Sequence, residues 1–254
     1  MATNLSKEKC IPRDEISVLT WNVWFGSLKQ IERGNSIIET ILELSPTIAC
    51  FQEVTRTFLS QLISNESIKN QYNFSDSTGE TLGSYGVLMI WKKDVLVLSQ
   101  NLTPLPTKMN RKLLLIQTSF DCETPFYIGT AHLESMKPNK QYRKDQIIKI
   151  TSELSKLEGS SIFVGDFNFC STWDENDNIP SEFIDIWPVI YPNNNGWTED
   201  TKINIMRFNQ KKEDKQVRFD RVLYHRTSGV EWNPTDIRLI GTEPLPGLNE
   251  IWPS

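Results

Sequence analysis

Histidine occurs only twice in this chain of 254 residues, and its four cysteines form no close pair. Cys10, Cys50, Cys122 and Cys170 are too scattered for the ligand spacing of a structural zinc site, and two histidines cannot make up the deficit. The same scatter argues against a disulfide framework and predicts free thiols in a reducing compartment. Long apolar runs are missing too. None could span a membrane, and the opening MATNLSKEKCIPRDE has no apolar heart of a signal peptide. The expected setting is intracellular, in nucleus or cytoplasm and off the membrane. The Asn-x-Ser triplet at Asn4 is then incidental, because glycosylation needs secretion. An excess of basic charge is the last absence. The net charge is −5, which excludes a protein that coats nucleic acid by broad electrostatics. It leaves room for an enzyme that grips one phosphate through a metal ion.

What the chain does contain is enough to fill a core. Hydrophobic residues make up 38% and aromatics 10%, with eight tryptophans, a composition of packed globules and not of disordered chains. No repeat or linker divides it, so a single domain over residues 15–254 is expected after a flexible segment at 1–14, acting as a monomer.

Residues 16–22, ISVLTWN, alternate as a strand. Ile37, Ile38, Ile41 and Leu42 then mark one helical face up to Pro46. TIACFQ reads as a buried strand running into Glu53, and TFLSQLI as a short helix. SYGVLMIW, DVLVLSQ, RKLLLIQTSF and FYIGTAHL form a strand series linked by polar turns. Ile147, Ile150, Leu154 and Leu157 define a second long helix, followed by the strand of residues 161–166. A Pro/Asn-rich loop is expected over 180–201, then late strands in VRFDRVLYH and TDIRLIG. Strands in runs with few helices between them suggest packed sheets covered by helices, not an alternating parallel fold.

These strands share an oddity at their ends. SIFVGDFNFC breaks a buried strand with Asp166 and Asn168; VLTWN closes on Asn22, IACFQE on Glu53, and YIGTAHLES on His132 and Glu134. Asp220 sits inside VRFDR. Each alone reads as ordinary strand punctuation, since Asp and Asn bond nearby backbone in turns. Together, on one rim of packed sheets, they would converge on a polar cleft. An oxygen-rich cluster of this kind suits Mg²⁺, with Mn²⁺ as a second possibility. A cation held there polarises phosphate oxygens while a second carboxylate orients water. Metal-assisted phosphoester hydrolysis is the reaction class these residue types point to.

TWN (20–22), FQEV (51–54), HLES (132–135), GDFN (165–168) and RFDR (218–221), in that order, resemble the motifs of the endonuclease/exonuclease/phosphatase superfamily. AHLES, a following helix with Arg143 and Gln146, and the TxDT of residues 198–201 resemble its type-2 tyrosyl-DNA phosphodiesterase branch most. The resemblance implies a four-layered α/β sandwich of two mostly antiparallel sheets flanked by helices. It also implies Mg²⁺-dependent cleavage of a tyrosine-to-5′-phosphate DNA linkage in DNA repair, with a blocked 5′ nucleic-acid end as partner. By position, Glu53 would be the principal metal ligand and Asn22 would contact metal-bound phosphate. Asp166 would act on the attacking water, Asn168 would bond the scissile phosphate, and His132 would shape the phosphate pocket. Asp220 resembles the carboxylate that orients a catalytic histidine. Tyr85, Phe219 and Arg143 would contact the nucleic-acid end.

Two departures qualify that expectation. Trp24 stands where the branch often has an acidic residue supporting the metal. The Asp-His motif on a last strand, expected after Ser254, is absent, and His225 reads as a strand-end residue and not its substitute. A truncated chain lacking its last strand is the favoured explanation, over a degenerate binder or an enzyme with the role moved elsewhere. The chain is therefore expected to be weak or inactive. Alternative readings are another phosphodiesterase or nuclease of the superfamily, or a non-catalytic binder of nucleic-acid ends.

Overall fold

The computed structural model describes residues 10–227 and 232–254. In chain order the elements are β1 (Val18–Asn22), α1 (Gln30–Leu44), β2 (Ile48–Val54), α2 (Arg56–Ser64), α3 (Glu66–Gln71), β3 (Tyr72–Phe74), β4 (Gly86–Lys92), β5 (Val97–Pro104), β6 (Lys112–Thr118) and β7 (Phe126–His132). They continue with α4 (Lys140–Leu154), β8 (Ser160–Asp166), β9 (Phe183–Asp185), α5 (Ile186–Ile190), β10 (Glu199–Asp200), α6 (Ile205–Lys211), β11 (Gln216–Val217) and β12 (Asp220–His225).

Local chemistry accounts for the main helices. In α1, Ile37, Ile38 and Ile41 are buried. The helix ends where Ser45 turns left-handed and returns its N–H to Ile41, just before Pro46 bars continuation. Thr55 caps α2 by accepting from the Phe58 N–H. Of the expected stripe, Ile147, Ile150 and Leu154 are fully buried in α4, while Leu157 lies past its end and is partly buried.

Strands β1-β2-β4-β3 form one sheet and β5-β6-β7-β8-β12-β9 the other. Among the described residues only β1–β2 and β7–β8 of these sheets pair in parallel. Three apolar clusters separate four layers. One joins α1 and α2 to the outer face of the first sheet. A second fills the space between the sheets, with Cys50, Met89, Ile116, Ile128 and Val164. The third joins α4 to the far face of the second sheet. The four-layered sandwich of two mostly antiparallel sheets is thus present.

Several local expectations differ. TDIRLIG forms no strand. Its apolar residues divide between cores, Ile237 packing between the sheets and Ile240 against the helix-side cluster, so the segment is wedged and does not pair. Gly241, at φ +66, lies where a Cβ would come within 2.5 Å of the Trp21 ring. Residues 180–201 hold β9, α5 and β10, while α3 and α6 lack a long enough apolar period to be seen in sequence. No strand follows β12 among the described residues, and β1 is an edge. An opening of about 710 Å³ lies between β1 and β12, lined among others by Val18, Thr20, Val222, Tyr224, Trp232 and Ile237.

The expectation of four free thiols is also corrected: Cys10 and Cys122 form a disulfide, while Cys50 and Cys170 are free and buried. Residues 112 apart reach a Cα separation of 5.6 Å because the N-terminal segment lies along the β6–β7 turn. The Arg13 N–H donates to the Phe120 carbonyl at 2.7 Å, and the Arg13 guanidinium pairs with Asp94 at 2.5 Å. Of the segment expected to be flexible, residues 1–9 lie outside the described residues, and residues 10 and 13 are fastened in this way.

Candidate functional site

The parallel pairs β1–β2 and β7–β8 aim four strand C-termini at one rim, and antiparallel β12 brings its N-terminus there. Asn22 pairs with Gln52, next to Glu53; His132 pairs with Asp166, and Asp166 with Asp220. Gly165 makes the last approach possible. At φ +144, a Cβ there would lie 2.1 Å from the Ala131 carbonyl oxygen, so only glycine lets β8 lie this close to β7 beside His132.

Asn22 joins the two sheets. Its Nδ2 donates to Glu53 Oε1 at 3.0 Å and Asp166 Oδ2 at 2.8 Å. The Nε2 of His132 lies 3.6 Å from Asp166 Oδ2 and 3.9 Å from Glu53 Oε1. Asn168 donates its backbone N–H to Asp166 Oδ1 at 2.8 Å, and its side chain to the Leu133 carbonyl at 3.0 Å. Glu53 and Asn168 both hold left-handed backbone, φ 58 and φ 53, and Glu53 sits within an irregularity of the β2–β4 ladder. Left-handed backbone in a non-glycine residue costs roughly 1–3 kcal/mol and gathers at functional sites.

The carboxyl groups share one electrostatic condition. Burial lifts the pKa of Glu53 above the usual carboxylate range, with Asp166 adding to it. Burial also raises Asp166, against the hydrogen bonds from Asn22 and Asn168. Asp220 is pushed up to about 8 by loss of hydration and by the facing Asp166, and its Oδ1 is sealed from solvent without a hydrogen-bond partner. Burial, then the Arg111 guanidinium, holds His132 well below the ordinary imidazole value, so the ring is neutral. Arg111 Nη1 lies 2.8 Å from His132 Nδ1. A guanidinium only donates, so Nδ1 accepts and Nε2 carries the proton, facing the cleft.

These groups fit a hard divalent cation. Glu53 and Asp166 share the Asn22 amide and Asp166 faces Asp220, and all three carry raised pKa values, a condition that nearby positive charge would reverse. Among the described residues no three His, Cys, Asp or Glu side chains converge to hold a metal unaided. Mg²⁺ does not demand that, being held by one or two carboxylates with water and phosphate completing its shell.

Of the expected site residues, Asn22, Glu53, His132, Asp166 and Asn168 come together, and Asp220 lies against Asp166. Tyr85 stands at the rim, its ring centroid 6.4 Å from that of His132. Phe219 is half-buried next to Asp220, with the Lys215 ammonium 4.4 Å from its ring centroid. Arg143 is elsewhere. Only 1% exposed, it pairs with Glu175 at 2.7 Å and donates to the Glu134 and Met136 carbonyls, so its donors are spent inside the protein. Glu134 is likewise internal, accepting from the Thr107 hydroxyl and the Lys108 N–H. Trp24 donates its N–H to Asn22 Oδ1 and lays its ring against Arg33 and Arg207. His225 occupies the opposite end of β12, paired with Ser161 and stacked on Phe183. Arg111 and Phe25 escaped the sequence reading. An arginine just before a strand and a phenylalanine in a loop have no distinguishing local pattern.

A sequence model described as the Endonuclease/Exonuclease/phosphatase family matches residues 19–254. Among curated proteins, tyrosyl-DNA phosphodiesterase 2 of Homo sapiens is 27% identical over 90% of this chain and 63% of its own length. The Xenopus laevis protein of that name is 26% identical over 89% and 61%. The chain thus spans less than two thirds of these relatives. Among solved structures, D. rerio TDP2 complexed with single-strand DNA product superposes with a TM-score of 0.82 at 24% identity, covering 95% of this chain and 96% of that one. The human Nocturnin catalytic domain superposes at 0.64 with 16% identity, covering 88% of each chain.

Proposed function

This chain belongs to the endonuclease/exonuclease/phosphatase family, and we propose that within it the chain serves as a Mg²⁺-dependent phosphodiesterase for a tyrosine joined to a 5′ phosphate of DNA. One observation carries the reading. Asn22, Glu53, His132 and Asp166 meet from four strand ends within 2.8–3.9 Å, a cluster with little structural purpose at the rim of a sandwich. The names of the similar proteins support the choice of substrate.

Bound Mg²⁺ would be held by Glu53 with Asn22 beside it, and would supply charge that polarises the phosphate oxygens. Asp166 accepts a hydrogen bond from the attacking water and takes its proton, with the Asn22 amide and the Asn168 N–H keeping the carboxylate aimed. Neutral His132 donates from Nε2 to a phosphoryl oxygen, its tautomer held by Arg111. The Asn168 amide, with one N–H spent on the Leu133 carbonyl, adds its other donor where charge develops.

The test is release of tyrosine from a 5′-phosphotyrosyl oligonucleotide with and without Mg²⁺. Asp166→Asn is expected to lower the rate by about 10²–10⁴, the size of a general-base contribution, with the circular dichroism spectrum intact. An unchanged rate in that variant would remove Asp166 from the role.

The unpartnered Oδ1 of Asp220 favours a second reading, in which the cleft binds but turns over slowly. Among the described residues the only other imidazole, His225, is at the far end of β12. Loss of one transition-state donor costs about 10²–10³ in rate. Mg²⁺-dependent binding of the oligonucleotide without tyrosine release would establish this reading over the first.

A further inference from the structure

The loop leaving β1 places an aromatic ring at the mouth of the cleft that the proposed chemistry leaves unused. Phe25 is 48% exposed, yet it is not loose. Its N–H donates to Glu53 Oε2 at 2.9 Å, tying its backbone to the expected metal ligand. Its ring stacks on Tyr85 with centroids 4.8 Å apart and planes inclined by 15°. Tyr85 is backed in turn by the Arg111 guanidinium, 5.5 Å from its centroid, and Arg111 bonds His132. An ordered row therefore runs from the phosphate pocket outward: His132, Arg111, Tyr85, Phe25. A single exposed phenylalanine is unremarkable on a protein surface. One held parallel to a second ring, over a guanidinium and tethered to a cleft carboxylate, is a flat apolar surface set before any ligand arrives.

We propose that Phe25, supported by Tyr85, determines specificity by stacking on an aromatic ring attached to the phosphate bound at Asn22, Glu53, His132 and Asp166. This deepens the phosphodiesterase reading and rests on it for the position of the phosphate. The ring has no polar handle, so it distinguishes flat aromatic substituents from alkyl ones by contact and quadrupole geometry. Two sources share that chemistry: a phenolic leaving group and a nucleobase.

The experiment measures binding, not turnover. Phenyl phosphate, methyl phosphate and thymidine 5′-monophosphate are titrated calorimetrically, with Mg²⁺, into the native chain, Phe25→Ala and Phe25→Trp. Backbone donation to Glu53 survives both substitutions. The native chain is expected to prefer an aromatic phosphate over methyl phosphate. Phe25→Ala should lower that preference about three- to tenfold, the size of one aromatic pair, and Phe25→Trp should restore it. A loss for phenyl phosphate places the leaving group on Phe25; a loss for the nucleotide places the base there. An unchanged preference in Phe25→Ala, a loss that tryptophan fails to restore, or no binding of any phosphate to the native chain overturns the proposal. Failure of tyrosine release with the preference intact would count against the phosphodiesterase reading alone.

Discussion

Asp220 shows how a single carboxyl group can oppose the fold that holds it. Its pKa of about 8 lies above the ordinary aspartate value near 3.9, so the folded chain binds more protons than the unfolded one between those limits. Stability must then fall as pH rises through that window, because its slope with pH follows the protons bound by the unfolded state minus those bound by the native state. Asp220→Asn cannot ionise and is expected to flatten the decline. Urea unfolding at pH 5, 7 and 8.5 should show the native chain losing a few kcal/mol more than the variant, at about 1.4 kcal/mol for each pH unit crossed below the folded pKa. Equal losses would mean that Asp220 ionises freely. Across the strand pair Asp166 meets a gentler condition, since Asn22 and the Asn168 N–H partner both its oxygens. Two aspartates on facing strands thus differ through their hydrogen bonds.

The element that most reshapes the sequence reading is the contact of α4 with the 3₁₀ turn Asp174–Asn178. Arg143 was expected at the nucleic acid; it instead holds that turn through Glu175, with side chains 1% and 2% exposed. Removing one partner of such a pair strands a buried charge and costs about 3–5 kcal/mol. Glu175→Ala should lose stability on that scale in urea melts, whereas Arg143→Met combined with Glu175→Leu should lose less. Were Glu175→Ala neutral, Arg143 would be free to serve another role. The same logic covers the RFDR motif: Arg218 and Arg221 both grip Asp185, fastening β12 to β9 and leaving Asp220 as the member that faces the cleft.

For the molecule as a whole, the cleft exists because both sheets end their parallel pairs at the same rim. Asn22 arrives from one sheet and Asp166 from the other, so binding a cation there should tighten the whole sandwich. At about ten times its Kd a ligand adds roughly 1.4 kcal/mol, which for a domain of this size raises Tm by about 3–5 °C. Titration with Mg²⁺ is expected to give such a rise in the native chain and to lose most of it in Glu53→Gln. The same rise in both would place the ion elsewhere.

Local pattern was enough to determine the eight longer strands, the two long helices, the layered class and the polar residues that end the strands. Alternation and helical spacing report which side chains share a face, and a carboxylate closing a buried strand is visible without coordinates. Tertiary structure alone decided which of those residues meet. Arg143 looks like any helical arginine until Glu175, 32 positions later, is packed against it. Cys10 and Cys122 look like solitary thiols until the β6–β7 turn brings them together. Ile237 and Ile240 read as a strand but serve two different cores. Arg111 carries no signature until its guanidinium fixes the His132 tautomer. In each case the deciding energy comes from burial and hydrogen bonding between residues distant in sequence, and spacing along the chain holds no record of those contacts.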